Sequence, residues 1–85
     1  MRREKRYVGV DATFDADGRV TPRAVIWDDG RRFAVDRVLD VRAAASLKTG
    51  GDGIRYTVQV GGRSTYLFLE GGARWFVEAR VAEMP

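Results

Sequence analysis

Asp15 with Asp17, and Asp28 with Asp29, form the two close carboxylate pairs that could do acid–base chemistry in this sequence. A pair of that kind works when a sheltered cleft raises the pKa of one carboxyl while its neighbour stays ionised. Both pairs instead run into Asp17-Gly18 and Asp29-Gly30, where Asp accepts hydrogen bonds from nearby backbone amides and Gly takes up the turn. A solvated hairpin tip gives no shelter, so these carboxylates read as turn formers. The chain has no histidine and no cysteine. That removes the usual general base, the commonest zinc ligand and the Ser-His and Cys-His nucleophile pairs. No enzyme activity, catalytic residue, metal or cofactor is expected.

Two other motifs fail on their chemistry. Thr13-Phe14-Asp15-Ala16-Asp17-Gly18 touches the calcium-loop pattern at its third, fifth and sixth positions. Thr13 stands at the first ligand, however, and Ala24 stands where a bidentate Glu belongs. Thr49-Gly50-Gly51-Asp52-Gly53 is glycine-rich enough to cradle a phosphate, but Ile54-Arg55-Tyr56 opens a strand where a helix N-terminus is needed. It reads as a connection.

The remaining constellation is Arg with aromatics. Arg31, Arg32, Arg37 and Arg42 cluster with Trp27 and Phe33, while Arg55, Arg63, Arg74 and Arg80 stand out from strands carrying Tyr56, Tyr66 and Trp75. Small barrels that bind single strands stack bases on such aromatics and meet phosphate with Arg. The plainer reading is a core of alternate aromatics with Arg on the solvated side. Asp28, Asp29, Asp36 and Asp40 also cancel much of the first cluster's field.

Charge argues the same way. Residues 2–6 hold four basic groups and one acidic group, which accounts for the whole net charge of +3 and leaves eleven of each sign in residues 7–85. A nucleic-acid domain carries its excess on the body, so residues 1–6 are set apart as a basic, flexible tail, and 7–85 as one domain. Thirteen of the fifteen basic residues are Arg, a bias that a GC-rich coding sequence would also produce. No run of about eighteen apolar residues is present, and no apolar segment follows the basic N-terminus. A soluble, cytoplasmic protein without membrane contact is expected.

Turn pairs at Asp17-Gly18, Asp29-Gly30, Gly50-Gly51, Gly61-Gly62 and Gly71-Gly72 punctuate runs rich in Val, Tyr, Phe, Trp and Thr, the signature of an antiparallel meander. Strands are expected over Tyr7–Phe14, Arg19–Trp27 with an edge or bend at Pro22, and Arg31–Val35. Residues 36–48 read as strand over helix, because Leu39, Val41, Ala43, Ala45 and Leu47 alternate. Further strands carry Tyr56-Val58-Val60, Tyr66-Phe68 and Trp75-Val77-Ala79-Val81. The fold expected is all-β, a small SH3-like meander barrel of six or seven short antiparallel strands.

The stretch Trp27-Asp28-Asp29-Gly30-Arg31-Arg32-Phe33-Ala34-Val35 followed by Val38-Leu39-Asp40 resembles a pattern in small uncharacterised bacterial all-β proteins. Their C-terminal half has an Arg-Tyr strand and a Trp-aromatic-aliphatic-Glu strand, here Arg55-Tyr56-Thr57-Val58 and Trp75-Phe76-Val77-Glu78. The resemblance spans about residues 20–80, implies a compact barrel-like domain and supplies no function. With two Trp, four Phe and three Tyr, one narrow core has aromatics to spare, and Trp27, Phe33 or Phe76 facing outward would make a protein-binding patch. The function expected is a non-enzymatic interaction module that binds protein, or itself as a homodimer, through Trp27, Arg31, Phe33 and Arg37. Strand addition at the Pro22 edge is one route for a peptide partner. The alternative is weak single-stranded nucleic-acid binding through Arg2, Arg3, Lys5, Arg6, Arg55 and Tyr56.

Overall fold

The computed structural model describes residues 2–43 and 53–81. Seven antiparallel strands follow in order: β1 (Arg2–Phe14), β2 (Val20–Ile26), β3 (Arg32–Ala34), β4 (Arg37–Ala43), β5 (Gly53–Val60), β6 (Arg63–Glu70) and β7 (Arg74–Val81). They form one sheet in the order β3-β2-β1-β7-β6-β5-β4, curled into a half-barrel. Among the described residues there is no helix, hence none long and apolar enough to cross a membrane.

The turn chemistry explains the meander. In the β1–β2 and β2–β3 loops the amide of the residue before the turn donates across the hairpin neck, Asp15 to Arg19 O at 3.0 Å and Trp27 to Arg31 O at 2.8 Å. Three residues remain in each loop, and the last of them, Gly18 or Gly30, has φ of 83° or 88°. Only glycine takes that conformation without a steric cost. Asp15 Oδ1 accepts from the Asp17 and Arg19 amides at 3.0 and 2.8 Å, so this carboxylate serves its turn. Gly61-Gly62 makes the two-residue turn between β5 and β6.

β1 changes partner along its length. Arg2 to Val8 pair with β7, and Gly9 to Phe14 pair with β2. At the changeover, a Cβ on Gly9 would stand 3.3 Å from the Ile26 Cβ, so the missing side chain lets β2 close in. Residues 2–6, set apart from sequence as a tail, are therefore strand, paired with Val77–Val81. The register of β1 and β2 slips at Pro22, leaving Arg23 as an extra residue. A proline without an N–H forces such a bend. This edge is already used, because Val20 O accepts from Tyr56 Oη at 2.8 Å and Arg23 O accepts from the Val35 amide at 2.9 Å.

Strand β4 confirms strand over helix for residues 37–43, while 44–48 lie outside the described residues. Its alternation differs from expectation. Leu39 is the extra residue of a bulge between Val38 and Asp40, so Val38 and Val41, opposite Val58 and Tyr56, point to the same side; Val38 packs on the core and Val41 stays 52% exposed. Leu39 is pushed out to 47% exposure. A one-residue bulge reverses the phase of everything after it.

The concave face holds the main core, Val25, Tyr56, Val58, Leu67, Leu69 and Trp75, with Val8, Val10 and Val77 among those packed on it. A second apolar layer lies on the opposite face. There Phe68 and Phe76 stack in parallel at 4.9 Å, with Tyr7 edge-on to Phe76 at 5.8 Å and Tyr66 edge-on to Phe68 at 6.4 Å. Phe76 is thus buried rather than part of a docking patch. Two contacts draw the ends of the sheet together: Asp36 donates to Gln59 O at 2.7 Å beside the Val35 bond to β2, and Tyr56 Oη spans from β5 to β2.

Replacing Tyr56 with Phe strands the Val20 carbonyl and is expected to cost about 1 kcal/mol in urea unfolding. Leu67→Ala, which opens a cavity in the fully buried core, is expected to cost about 3 kcal/mol. Equal stability of the Phe variant and the parent would remove the hydroxyl bridge from this account.

Candidate functional site

β6 and β7 begin as a hairpin and then part. Their ladder holds Glu70↔Arg74, Leu69↔Trp75 and Phe68↔Phe76 and stops there. Beyond it Arg63–Leu67 pair only with β5 and Val77–Val81 only with β1, among the described residues. A groove of about 430 Å³ opens at the split, lined by Val25, Trp27, Arg31, Phe33, Val60, Thr65, Val77, Glu78 and Ala79.

The β2–β3 hairpin places the aromatic side of that groove. Phe33 pairs with Val25, so it shares the core-facing side and sits at the groove mouth, 38% exposed. The Asp29 carboxylate accepts from the Arg31 amide at 2.9 Å and from Arg31 Nε at 2.6 Å. The amide bond is the larger cause of the lowered Asp29 pKa, and the guanidinium adds to it. So fixed, the Arg31 guanidinium lies 5.5 Å from the Phe33 ring centre. Trp27 is half-buried and has a matching arrangement: Arg6 lies 5.6 Å from its ring, with Asp28 3.8 Å from Arg6. Trp27 and Phe33 thus each carry a cation, and each cation has a turn aspartate. The site is apolar and polarisable with little net field. No protein-family model, curated protein or solved structure matches this chain.

Three of the four residues expected at an interaction surface, Trp27, Arg31 and Phe33, are therefore together. Arg37 is not with them; it lies on β4 opposite Gln59. Of the six expected nucleic-acid contacts, Lys5 and Arg55 share the outer aromatic face, while Arg6 and Tyr56 lie apart from it. Tyr56 is 3% exposed, its hydroxyl is committed to Val20, and burial raises its pKa, so no base can stack on it. Lys5 lies on the outer face and Arg6 turns toward Trp27. Arg55 lies over Tyr66 at 4.5 Å with its Nε buried and without an acceptor. Arg2 and Arg3 stand opposite Val81 and Arg80 in the ladder.

A polar network that sequence reading missed covers the outer aromatic layer. Lys5 Nζ donates to Glu70 Oε1 at 2.7 Å and to the Tyr7 hydroxyl at 3.2 Å, and that hydroxyl donates to Glu70 Oε2 at 2.8 Å. Lys5 also sits 4.6 Å from the Phe76 ring centre, and Arg74 sits 3.8 Å from that of Tyr7. The signal for this layer lies in Tyr66-Leu67-Phe68-Leu69 and Trp75-Phe76-Val77, where apolar residues run on without alternation, as they do when both faces of a strand are covered.

The Lys5 bond holds the Glu70 pKa below its ordinary value, helped by Tyr7, and the same bond raises that of Lys5 against some desolvation. The Glu70 contribution to stability is present above the ordinary glutamate pKa and is lost as pH falls through the depressed one. The Lys5 contribution is present below the ordinary lysine pKa and is lost as pH rises through the raised one. Glu70→Gln is accordingly expected to be less stable than the parent at neutral pH, with the gap closing as pH falls below the ordinary glutamate pKa. A gap that stays constant in denaturant titrations over that fall in pH would exclude this linkage.

Proposed function

We propose that this chain is a non-enzymatic interaction module, an SH3-like small barrel that takes up an extended protein strand in the groove between β6 and β7. The observation that carries the reading is the parting of these two strands beside Trp27, Arg31 and Phe33. Where a strand lacks a neighbour, alternate residues present unpaired N–H and C=O groups along its edge. A strand entering the split regains those bonds, which gives affinity, while the aromatic side of the groove selects its side chains. Half-exposed Trp and Arg in a concave apolar setting are the residue types that dominate protein interfaces. The absence of cysteine and the resemblance to small bacterial proteins support a bacterial cytoplasmic setting.

A nucleic-acid role has less support, since Tyr56, its expected stacking ring, is buried, and Lys5 is engaged by Glu70. It would show as affinity falling steeply with salt, whereas strand uptake in an apolar groove depends on salt weakly.

Selection of displayed extended peptides against the full chain tests the reading. Selected peptides are expected to lose about tenfold or more in affinity to Trp27→Ala and to Phe33→Ala, the range of interface anchors, with folding intact by circular dichroism. Peptides that bind both variants as well as the parent would place recognition elsewhere.

A further inference from the structure

The part of β7 that borders the groove is also one edge of a two-stranded ribbon. Arg2–Arg6 and Val77–Val81 pair with each other and, among the described residues, with no third strand. β1 alone would extend about 43 Å at the usual rise, and the molecule measures 50 × 29 × 21 Å. A two-stranded ribbon is marginal in water unless a further strand or a packed layer supports it. Among the described residues neither edge of the ribbon pairs with a further strand, and the two sequences differ in what they accept.

The edge of β1 carries Arg2-Arg3-Glu4-Lys5-Arg6, and pairing it with itself would set like charges against each other, which protects an edge from self-association. The edge of β7 reads Val77-Glu78-Ala79-Arg80-Val81. Turned antiparallel on a second copy about Ala79, this segment is complementary to itself. Glu78 falls opposite Arg80 of the second copy, Arg80 falls opposite Glu78 of the second copy, and Val77 and Val81 fall opposite each other twice. Such pairing is isologous and closes on two subunits without leaving an end to propagate.

We propose that the strand taken up beside β7 is β7 of a second copy, giving a continuous β1-β7-β7-β1 sheet across a two-fold axis at Ala79. This deepens the groove reading and rests on it. Val77, Glu78 and Ala79 border the groove, so β7 of the second copy lies along it, with its residue 81 at the register position opposite Val77. Residues 77, 79 and 81 share one face of the strand, and the Glu78 and Arg80 positions alternate with them.

Light scattering coupled to size exclusion, run over a wide concentration range on the full chain, reads the outcome. The parent is expected to be a dimer that dissociates on dilution. Glu78→Arg and Arg80→Glu are each expected to raise the dimer dissociation constant about tenfold, since each change acts twice across the axis. The double exchange E78R/R80E is expected to restore it. A folding defect cannot imitate this set: within one chain position 80 is in register with Arg3, so Arg80→Glu replaces a like pair in the monomer ladder by an unlike one while creating a like pair in the dimer. A parent that is monomeric at every concentration overturns the proposal, as does a dimer indifferent to both reversals or one the double exchange fails to restore. The groove reading fails separately, in the peptide selection with Trp27→Ala and Phe33→Ala.

Discussion

The fold depends on one pairing between segments far apart in the chain, that of β1 with β7. Every other ladder joins strands adjacent in sequence: β1 to β2 to β3 on one side, β4 to β5 to β6 to β7 on the other. Taken separately, these are a three-stranded and a four-stranded meander, each with one apolar face open to water. The register from Arg2↔Val81 to Val8↔Trp75 joins them into one curl. Its cost is the ordering of nearly the whole chain before these contacts form, which is the entropic burden of non-local pairing. Lys5, Tyr7 and Glu70 reinforce it on the outside, and Val8 beside Trp75 does so within.

The same pairing produces the groove. β7 keeps β1 from Trp75 to Val81 but β6 for only three residue pairs, so strand twist carries β6 away from β7 beyond Phe68. The gap, the free edge and the exposure of Phe33 are one geometric event seen from three sides. The charged groups around it are arranged for neutrality: Asp28 answers Arg6 and Asp29 answers Arg31. A chain with thirteen Arg therefore presents, at the apolar groove, rings covered by compensated cations.

Much of this was legible in the sequence, and the exceptions have physical causes. Glycine pairs and alternating side chains gave the strands of the half-barrel because a turn needing positive φ and a face needing apolar residues both leave marks in composition. The Leu39 bulge left none, since an extra residue between Val38 and Asp40 changes phase without changing residue type. The first half of β1 was hidden by its charge. Four basic residues read as a tail unless one knows that the Lys5 stem will lie over Phe76, and that ring comes from the far end of the chain. Trp27, Arg31 and Phe33 could be grouped because a single hairpin carries them. Arg37 could not be separated from them, because the chain passes to the opposite edge of the sheet between Ala34 and Arg37.

The two tryptophans stand in different compartments. Trp75 is enclosed in the core, 5.3 Å from the Tyr56 ring, within easy reach of excitation transfer from that tyrosine and shut off from dissolved quenchers. Trp27 is half-buried at the split, under the Arg6 guanidinium, where water and small quenchers have access. The intrinsic emission of this chain is therefore the sum of two optical signals, one following the integrity of the barrel and the other the occupancy of the groove.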